Sequence, residues 1–233
     1  MKIVIIHGQN HHGSTYHITE MLTDNLTTSE DQVSEFFLPT DGPKHCIGCY
    51  RCFEEGEACC PHKERVQKIV KVMDLSDIII INSPTYCLSM TGQLKTLFDH
   101  LAYQWMSHRP KKEMFSKTGI VISTTAGAGA KKVTKDLSQQ LFWLGVPKVY
   151  QLPVKVGASS WGGVSNELKE KVEVKIYGVS QSIKRRIGKV KPSLKHKITF
   201  ELMRMMQRKN DWNFVDRGYW EDKGWLGHER PWK

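Results

Sequence analysis

The sequence lacks the features that direct a chain into a membrane or along a secretion route. No apolar run approaches the roughly 18 residues of a bilayer-spanning helix. Residues 1–8 do not form the charged, apolar and small-residue regions of a signal peptide. We therefore expect a cytoplasmic protein without a membrane span. In that reducing setting, clustered thiols bind metal, carry out redox chemistry or stay reduced, and structural disulfides are rare.

Two widespread nucleotide-binding fingerprints are missing as well. The loop at residues 8–15 does not end in Gly-Lys-Ser/Thr, and Gly8 and Gly13 do not form G-x-G-x-x-G with an acidic ribose ligand after the second strand.

We also find no Ser-His-Asp constellation and no paired carboxylates. The sequence therefore offers no mechanism in which protein side chains act as nucleophile or as an acid–base pair.

Acidic residues are few between residues 169 and 209, where basic residues cluster, and the formal net charge of the whole chain is +10. A basic stretch attracts nucleic acid or an anionic membrane, or forms a solvated helix face or a subunit contact. No aromatic-basic RNA-binding pattern, zinc-finger His pair or helix-turn-helix accompanies this charge. We therefore predict a solvated face or subunit contact and no nucleic-acid partner. The cations are Lys169, Lys171, Lys175, Lys184, Arg185, Arg186, Lys189, Lys191, Lys195, Lys197, Arg204, Arg208 and Lys209.

What the chain does have is an alternation of apolar runs and amphipathic helical stretches. Strands are predicted at residues 2–7, 32–38, 77–82, 118–123 and 148–153. Helices are predicted at 14–26, opened by a cap at Ser14, and at 63–73, 91–103 and 131–143. This pattern predicts an α/β fold with a doubly wound, five-stranded parallel sheet between two helical layers.

A helical and aromatic extension follows the predicted sheet. We expect the domain to occupy residues 1–160 and the extension residues 161–233, with basic helices at 166–187 and 193–209 and a break near Gly188 and Pro192. The remainder, 212–233, is rich in Trp and Tyr. It is predicted to pack on the domain or on a neighbouring subunit.

Three loops follow strands at the edge of such a sheet where ligands bind. The first, G-Q-N-H-H-G-S-T, joins a strand to a helix, so its backbone amides and the hydroxyls of Ser14 and Thr15 can converge on one phosphate. The second, S-P-T-Y-C, ends a strand at Pro84 and leaves Thr85 and Tyr86 to edge a flat ring. The third, T-T-A-G-A-G, allows close backbone approach. Together the three loops predict a phosphate-binding site and two surfaces that flank a planar heterocycle.

Five of the six cysteines lie in one loop between Cys46 and Cys60. Thiols at two-residue intervals can all point at one small object, because the intervening residues let the chain turn around it. An iron-sulfur cluster, a structural zinc and plainly reduced thiols are the alternatives.

The order of these motifs resembles the NAD(P)H-dependent FMN reductase and iron-sulfur flavoprotein families of the flavodoxin-like superfamily. The motifs are G-x-x-x-x-G-S-T, C-I-G-C-Y-R-C, S-P-T-Y with a downstream L-K-x-x-x-D, and S-T-T-A-G, and the resemblance covers about residues 1–153. The tail D-R-G-Y-W-E-D-K-G-W-L is similar to tails of clostridial-type members. The resemblance implies a flavodoxin-like sheet, FMN as the bound cofactor and reduced nicotinamide as the electron donor.

By matching position, the resemblance implies that Ser14 and Thr15 bind the FMN phosphate. The residues expected at the cofactor are Gly8, Asn10, His12, Gly13, Ser14, Thr15, Ser83, Pro84, Thr85, Tyr86, Cys87, Thr124, Thr125, Ala126 and Gly127. For a 4Fe-4S cluster the resemblance implies Cys46, Cys49, Cys52 and Cys59 as ligands, with Cys60 as the alternative fourth. The chain departs from the families at Asp99-His100, where Asp-Arg is usual, and at Ala126-Gly127-Ala128, which replaces a double glycine.

We accordingly expect an FMN-dependent oxidoreductase that transfers electrons from NAD(P)H to a small acceptor such as a quinone or free flavin. The alternatives are an iron-sulfur flavoprotein that exchanges single electrons with a protein partner, and a non-enzymatic carrier of flavodoxin type. Because a second subunit commonly completes the flavin pocket in this fold, the resemblance also implies a homodimer or homotetramer.

Overall fold

A computed structural model describes the whole chain, Met1–Lys233. Five parallel strands form one sheet in the order β2-β1-β3-β4-β5. They are β1 (Lys2–His7), β2 (Gln32–Phe37), β3 (Ile78–Pro84), β4 (Thr118–Thr125) and β5 (Lys148–Lys155). The predicted doubly wound sheet is confirmed, and its order is that of flavodoxin-like folds.

Eight helices accompany the sheet. They are α1 (Ser14–Leu26), α2 (Arg51–Glu54), α3 (Lys63–Leu75), α4 (Gly92–Leu101), α5 (Ala130–Trp143), α6 (Asn166–Lys184), α7 (Leu194–Arg208) and α8 (Phe214–Asp222). None of them combines the length and the apolar character that a bilayer crossing requires.

Both faces of the sheet are covered, which explains why its central strands are apolar at nearly every position. Val4 and Ile6 of β1 join the core under α3, α4 and α5. Ile3 and Ile5 point the other way, into the core under α1 and α6. Successive residues of one strand therefore serve opposite cores, as the two-residue period of a strand requires.

Several predicted boundaries differ from the structure. Strands β3, β4 and β5 each run two residues further towards the ligand edge than predicted. Pro84 remains in register with Thr124 although it has no N–H to donate. The helix predicted to reach residue 187 ends at Lys184, and the one predicted to reach 103 ends at Leu101 and tightens into a 3-10 turn.

The C-terminal residues complete the molecule in two ways. Helix α6 packs with α1 and contributes Val172 and Ile176 to the core of the sheet. Helices α7 and α8 and the following tail build a third core around Phe200, Trp220 and Trp225. The aromatic tail thus packs on its own domain.

Candidate functional site

The loops after β1, β3 and β4 meet at the carboxyl edge of the sheet, where β1 and β3 are neighbours and the winding reverses. The loop after β1 is held close to β3, because Gly8 N donates to Asn82 O over 2.8 Å. A Cβ on Gly8 would lie 2.9 Å from that oxygen and 2.9 Å from Thr91 Oγ1. Only glycine therefore lets the backbone pass at this point.

The start of α1 carries no side-chain cap. Its N-cap is Gly13, and the predicted cap at Ser14 is wrong, because Ser14 is already the first helical residue. No acidic residue lies in the first turn. The buried hydroxyl of Thr15 lies 2.5 Å from Thr124 Oγ1, which joins the first and third loops. The backbone amides of the first turn and the buried hydroxyls of Ser14 and Thr15 are therefore available to an anion.

Two neighbouring histidines in this loop have different surroundings. His11 lies over the helix start, where a Cβ on Gly13 would be 2.8 Å from its Nε2, and it lines a cavity of about 10 Å³ with Thr15. His12, the residue named from the sequence, instead stacks on Tyr16 with ring centroids 3.9 Å apart. Both histidines therefore lie at the start of the helix, but only His11 lines the small cavity there.

Two polar side chains tie this loop to its neighbours. Gln9 Nε2 donates to Tyr86 OH over 2.9 Å, which closes the first loop against the second. The side-chain amide of Asn10 lies 2.8 Å from Thr40 Oγ1, in the segment after β2. Asn10 therefore orders the loop from the side of β2.

The second loop combines buried anchors with an exposed tip. Ser83 is fully buried and its Oγ accepts from Thr91 N over 3.1 Å, so it shapes the loop rather than facing a ligand. Thr85 Oγ1 lies 3.1 Å from Ser123 Oγ. The tip contains Cys87 and Leu88, both exposed and both at positive φ, 50° and 60°. Left-handed backbone at two non-glycine residues stores strain at this tip.

The third loop is held against the second. Gly129 has φ 104°, and a Cβ there would lie 2.7 Å from Thr85 Cγ2. Thr125 Oγ1 donates to Ala128 O over 2.8 Å, and the intervening Ala126 and Gly127 are exposed. The two loops therefore form adjoining walls whose outer edges remain open.

Four cysteines line a second cavity, of about 300 Å³, beside α4: Cys46, Cys49, Cys52 and Cys60. Burial, together with the neighbouring Cys60 and Cys46, raises the pKa of Cys52 to about 11. Cys59 does not line this cavity, and its Sγ lies 3.8 Å from Glu55 O. All six cysteines of the chain are free.

Histidines border the same cavity. Cys60 Sγ accepts from His62 N over 3.4 Å and lies 3.8 Å from Nδ1 of the buried His100. Burial lowers the pKa of His100. Asp99 pairs with Lys95, one turn earlier on α4. At position 100, where the related families usually have arginine, this chain has a histidine beside the cysteine thiols. The sequence analysis did not predict that His100 lies beside the thiols, because no local sequence pattern indicates this contact.

The cysteine cavity does not have the geometry of a single-ion site. No three His, Cys, Asp or Glu side chains gather closely enough to hold one metal ion. Four cysteine thiols are a donor set that either an iron-sulfur cluster or a structural zinc can use, and here they line a space of about 300 Å³. A larger cavity, of about 1010 Å³, adjoins this one and shares Pro61 and His62 with it.

Comparison with known proteins gives consistent matches. The sequence model of the family described as NADPH-dependent FMN reductase matches residues 1–159. An iron-sulfur flavoprotein of Clostridioides difficile (strain 630) is 27% identical over 184 residues, which cover 78% of this chain and 77% of that protein. An iron-sulfur flavoprotein of Methanocaldococcus jannaschii is 36% identical over 102 residues, 42% of this chain and 51% of the relative.

Solved structures agree on the fold. An azoreductase from Bacillus anthracis str. Sterne superposes with a TM-score of 0.60 at 14% identity, over 78% of this chain and 99% of the other. An FMN-dependent NADH-azoreductase from Bacillus anthracis str. Ames Ancestor, solved in complex with FMN, gives 0.60 at 11% identity over the same shares. At such identities these likenesses establish the flavodoxin-like fold alone.

Proposed function

Because the chain belongs to the NADPH-dependent FMN reductase family, we propose that it binds FMN at the carboxyl edge of its sheet and transfers electrons from NAD(P)H to a small acceptor. Family membership makes it an FMN-dependent oxidoreductase. The nicotinamide donor and an acceptor such as a quinone or free flavin are the finer parts of the proposal. The proposed setting is the reducing cytoplasm, in keeping with six free thiols.

The uncapped start of α1 carries the proposal. Its free amides, together with the hydroxyls of Ser14 and Thr15, fit the terminal phosphate of FMN, and no acidic side chain opposes the charge. His11 lines a small cavity with Gly13 and Thr15, and its ring would face the phosphate there. No lysine is needed for this arrangement, in contrast to sites for nucleoside triphosphates.

The second and third loops fit the ring of the cofactor. Thr85 and Tyr86 would lie along one edge of the ring, and Thr125 and Gly127 along another, because these two loops are joined at Gly129. When bound, FMN supplies the acceptance of a hydride from nicotinamide and its delivery to the acceptor. The two loops would orient the ring, and their exposed outer edges at Ala126 and Gly127 would leave room for the substrates to approach it.

Reconstitution tests this function directly. Apoprotein is incubated with FMN, and the oxidation of NADH and of NADPH is followed with a quinone and with free flavin as acceptors. We expect a steady rate that depends on FMN. Tight FMN binding without steady oxidation would instead identify a carrier of flavodoxin type.

A second candidate function, single-electron exchange with a protein partner, is favoured by the cysteine cavity. Cys46, Cys49, Cys52 and Cys60 would hold a 4Fe-4S cluster, which supplies one-electron chemistry when bound. Cys60 is preferred to Cys59 because only Cys60 lines the cavity. Anaerobic purification followed by iron and sulfide analysis tests this. About four of each per chain are expected, and none after reconstitution would remove this candidate.

We also propose a homodimer or homotetramer. Helix α7 buries Phe200 on one side and presents an unpartnered apolar stripe on the other. The stripe consists of Leu194, Ile198, Leu202, Met205 and Met206, which are between 47% and 73% exposed. Large apolar patches of this kind mark interfaces. Light scattering at micromolar concentration tests the proposal, and a monomer that still holds FMN would contradict it.

A further inference from the structure

A buried arginine connects the cysteine loop with the C-terminal helix. Arg109 is only 4% exposed and follows α4 in a segment without regular structure. Its guanidinium donates to the carboxylate of Asp216 in α8 and to Cys52 O, and it lies 3.4 Å from Glu57 Oε2. One side chain therefore bridges 57 residues back to Cys52 and 107 residues forward to Asp216.

Asp216 is fixed by its own helix. It is fully buried in the first turn of α8, where an anion is favourable to the helix dipole. Its N–H donates to the capping Asn213 Oδ1 over 2.9 Å, and its second carboxylate oxygen lies 2.7 Å from His108 Nδ1. The carboxylate is therefore held from the backbone of α8 and directed at two consecutive side chains, His108 and Arg109.

The aromatic residues of α8 grip the backbone on either side of Arg109. Trp220 Nε1 donates to His108 O, and Tyr219 OH donates to Pro110 O over 2.6 Å. Trp220 is fully buried and stacks on Phe200 of α7 with ring centroids 4.8 Å apart. The C-terminal helices thus hold the backbone on both sides of Arg109, whose own N–H donates to Tyr103 O over 3.0 Å.

The cysteine loop has little structure of its own. Residues 44–50 form no regular element, and α2, which carries Cys52, has only four residues. So short a helix is not stable alone, and its last carbonyls lack partners within the helix. The Arg109 guanidinium supplies the missing donor at Cys52 O. Phe53 adds a contact from the same helix to His108, with ring centroids 4.7 Å apart.

We propose that α8 is a clamp for the cysteine loop and that Arg109 is its positioning residue, which transmits the fixed position of Asp216 to the backbone of Cys52. As a consequence, the C-terminal helix keeps the four thiols gathered around their cavity before any cluster is present. The part of the inference that concerns a cluster rests on the second candidate function proposed above. The part that concerns the loop does not.

The test measures the alkylation rate of each cysteine in reduced, metal-free protein by mass spectrometry. Cys87, exposed on a distant loop, serves as the internal reference. Asp216→Asn and Arg109→Gln are expected to raise the rate at Cys52 at least tenfold relative to Cys87. Arg109→Lys, which keeps the charge but loses the planar fork, is expected to give an intermediate rate.

Two controls separate the clamp from general destabilisation. Arg217→Gln, on the same helix, breaks an exposed ion pair with Asp211, which precedes the helix, and should leave the Cys52 rate unchanged. Leu22→Ala weakens the core on the opposite side of the sheet and should lower the melting temperature without accelerating Cys52. If Asp216→Asn does not fold, Tyr219→Phe keeps the ring, removes one hydrogen bond of the clamp and should raise the rate about threefold.

Iron content after anaerobic reconstitution gives an independent readout. Asp216→Asn and Arg109→Gln are expected to retain less than half of the wild-type iron, while their FMN affinity stays within twofold of wild type. Wild-type protein that takes up no iron would remove the cluster proposal, and the alkylation rates would still decide on the clamp. Cys52 rates in Tyr219→Phe and Arg109→Gln equal to wild type would overturn the clamp.

Discussion

At the scale of single residues, Thr15 makes the account of the phosphate site testable. Thr15→Val keeps the shape of the side chain but removes the hydroxyl next to Thr124. A hydrogen bond to a charged group contributes about 1.5–3 kcal/mol, so FMN affinity should fall by about tenfold to a hundredfold. Thr23→Val, two turns along the same helix, is the matched control, and fluorescence titration is the measurement. Equal losses in both variants would contradict the assignment.

The adjacent pair Cys59 and Cys60 allows an equally direct comparison. Cys60→Ser should lose most of the iron bound after reconstitution, because this thiol lines the cavity. Cys59→Ser should retain it, since Cys59 points towards Glu55 O. Iron analysis of both variants is the measurement. The reverse order would show that the loop rearranges when it binds iron.

Sequence reasoning singled out these segments as candidate sites but could not distinguish neighbouring residues within them. Ser14 and Thr15 were identifiable because a strand, a turn and a helix start follow one another locally. The choice between His11 and His12, or between Cys59 and Cys60, depends on which way the backbone turns. That direction is set by contacts with distant segments, such as Tyr86 and His100.

At the scale of elements, Gly129 links the second and third loops. Gly129→Ala would place a methyl group 2.7 Å from Thr85 Cγ2 at φ 104°, which costs about 1–2 kcal/mol from the backbone alone. The melting temperature of the apoprotein should fall. In Gly127→Ala the added methyl group would have no neighbour within 4 Å, so the melting temperature should stay unchanged.

FMN affinity distinguishes the two loop variants further. Gly127→Ala should weaken FMN binding without affecting the apoprotein, because Gly127 is exposed at the proposed edge of the ring. Calorimetry and thermal unfolding of both variants provide the measurements. A destabilised Gly127→Ala apoprotein would contradict this description of the loop.

The strands and most helices could be predicted because their apolar periodicity is local. Strand ends could not, since β3, β4 and β5 are extended by pairing with their neighbours. The sequence analysis did not predict helix α8, although Asn213 and Asp216 form a helix-capping pattern. Gly218 and the mixture of charged and aromatic residues hide the apolar periodicity by which a helix is recognised. The burial of this helix against α7 and the segment before β4 stabilises it.

At the scale of the whole molecule, the C-terminal tail is part of the fold. Trp220 is 0% exposed, whereas Trp212 is 78% exposed. Trp220→Ala should therefore reduce the free energy of unfolding by about 3–5 kcal/mol. Trp212→Ala, the matched control, should change it little, and denaturant unfolding of both is the measurement. Equal effects would mean that the tail does not pack as described.

The connection from Asp216 through Arg109 to Cys52 could not be predicted from the sequence. Each contact spans more than 50 positions, and a buried ion pair leaves no periodic pattern. Removing one partner of such a buried pair typically costs about 3–5 kcal/mol, which is the basis for proposing that the three segments depend on one another.

The central claim is that the start of α1 holds the phosphate of FMN. Calorimetric titration of the apoprotein with FMN and with riboflavin, which lacks the phosphate, tests it most directly. The account predicts one FMN per chain, bound at least about a hundredfold more tightly than riboflavin, because several charge-assisted hydrogen bonds are lost without the phosphate. No uptake of FMN, or equal affinity for both molecules, would contradict it.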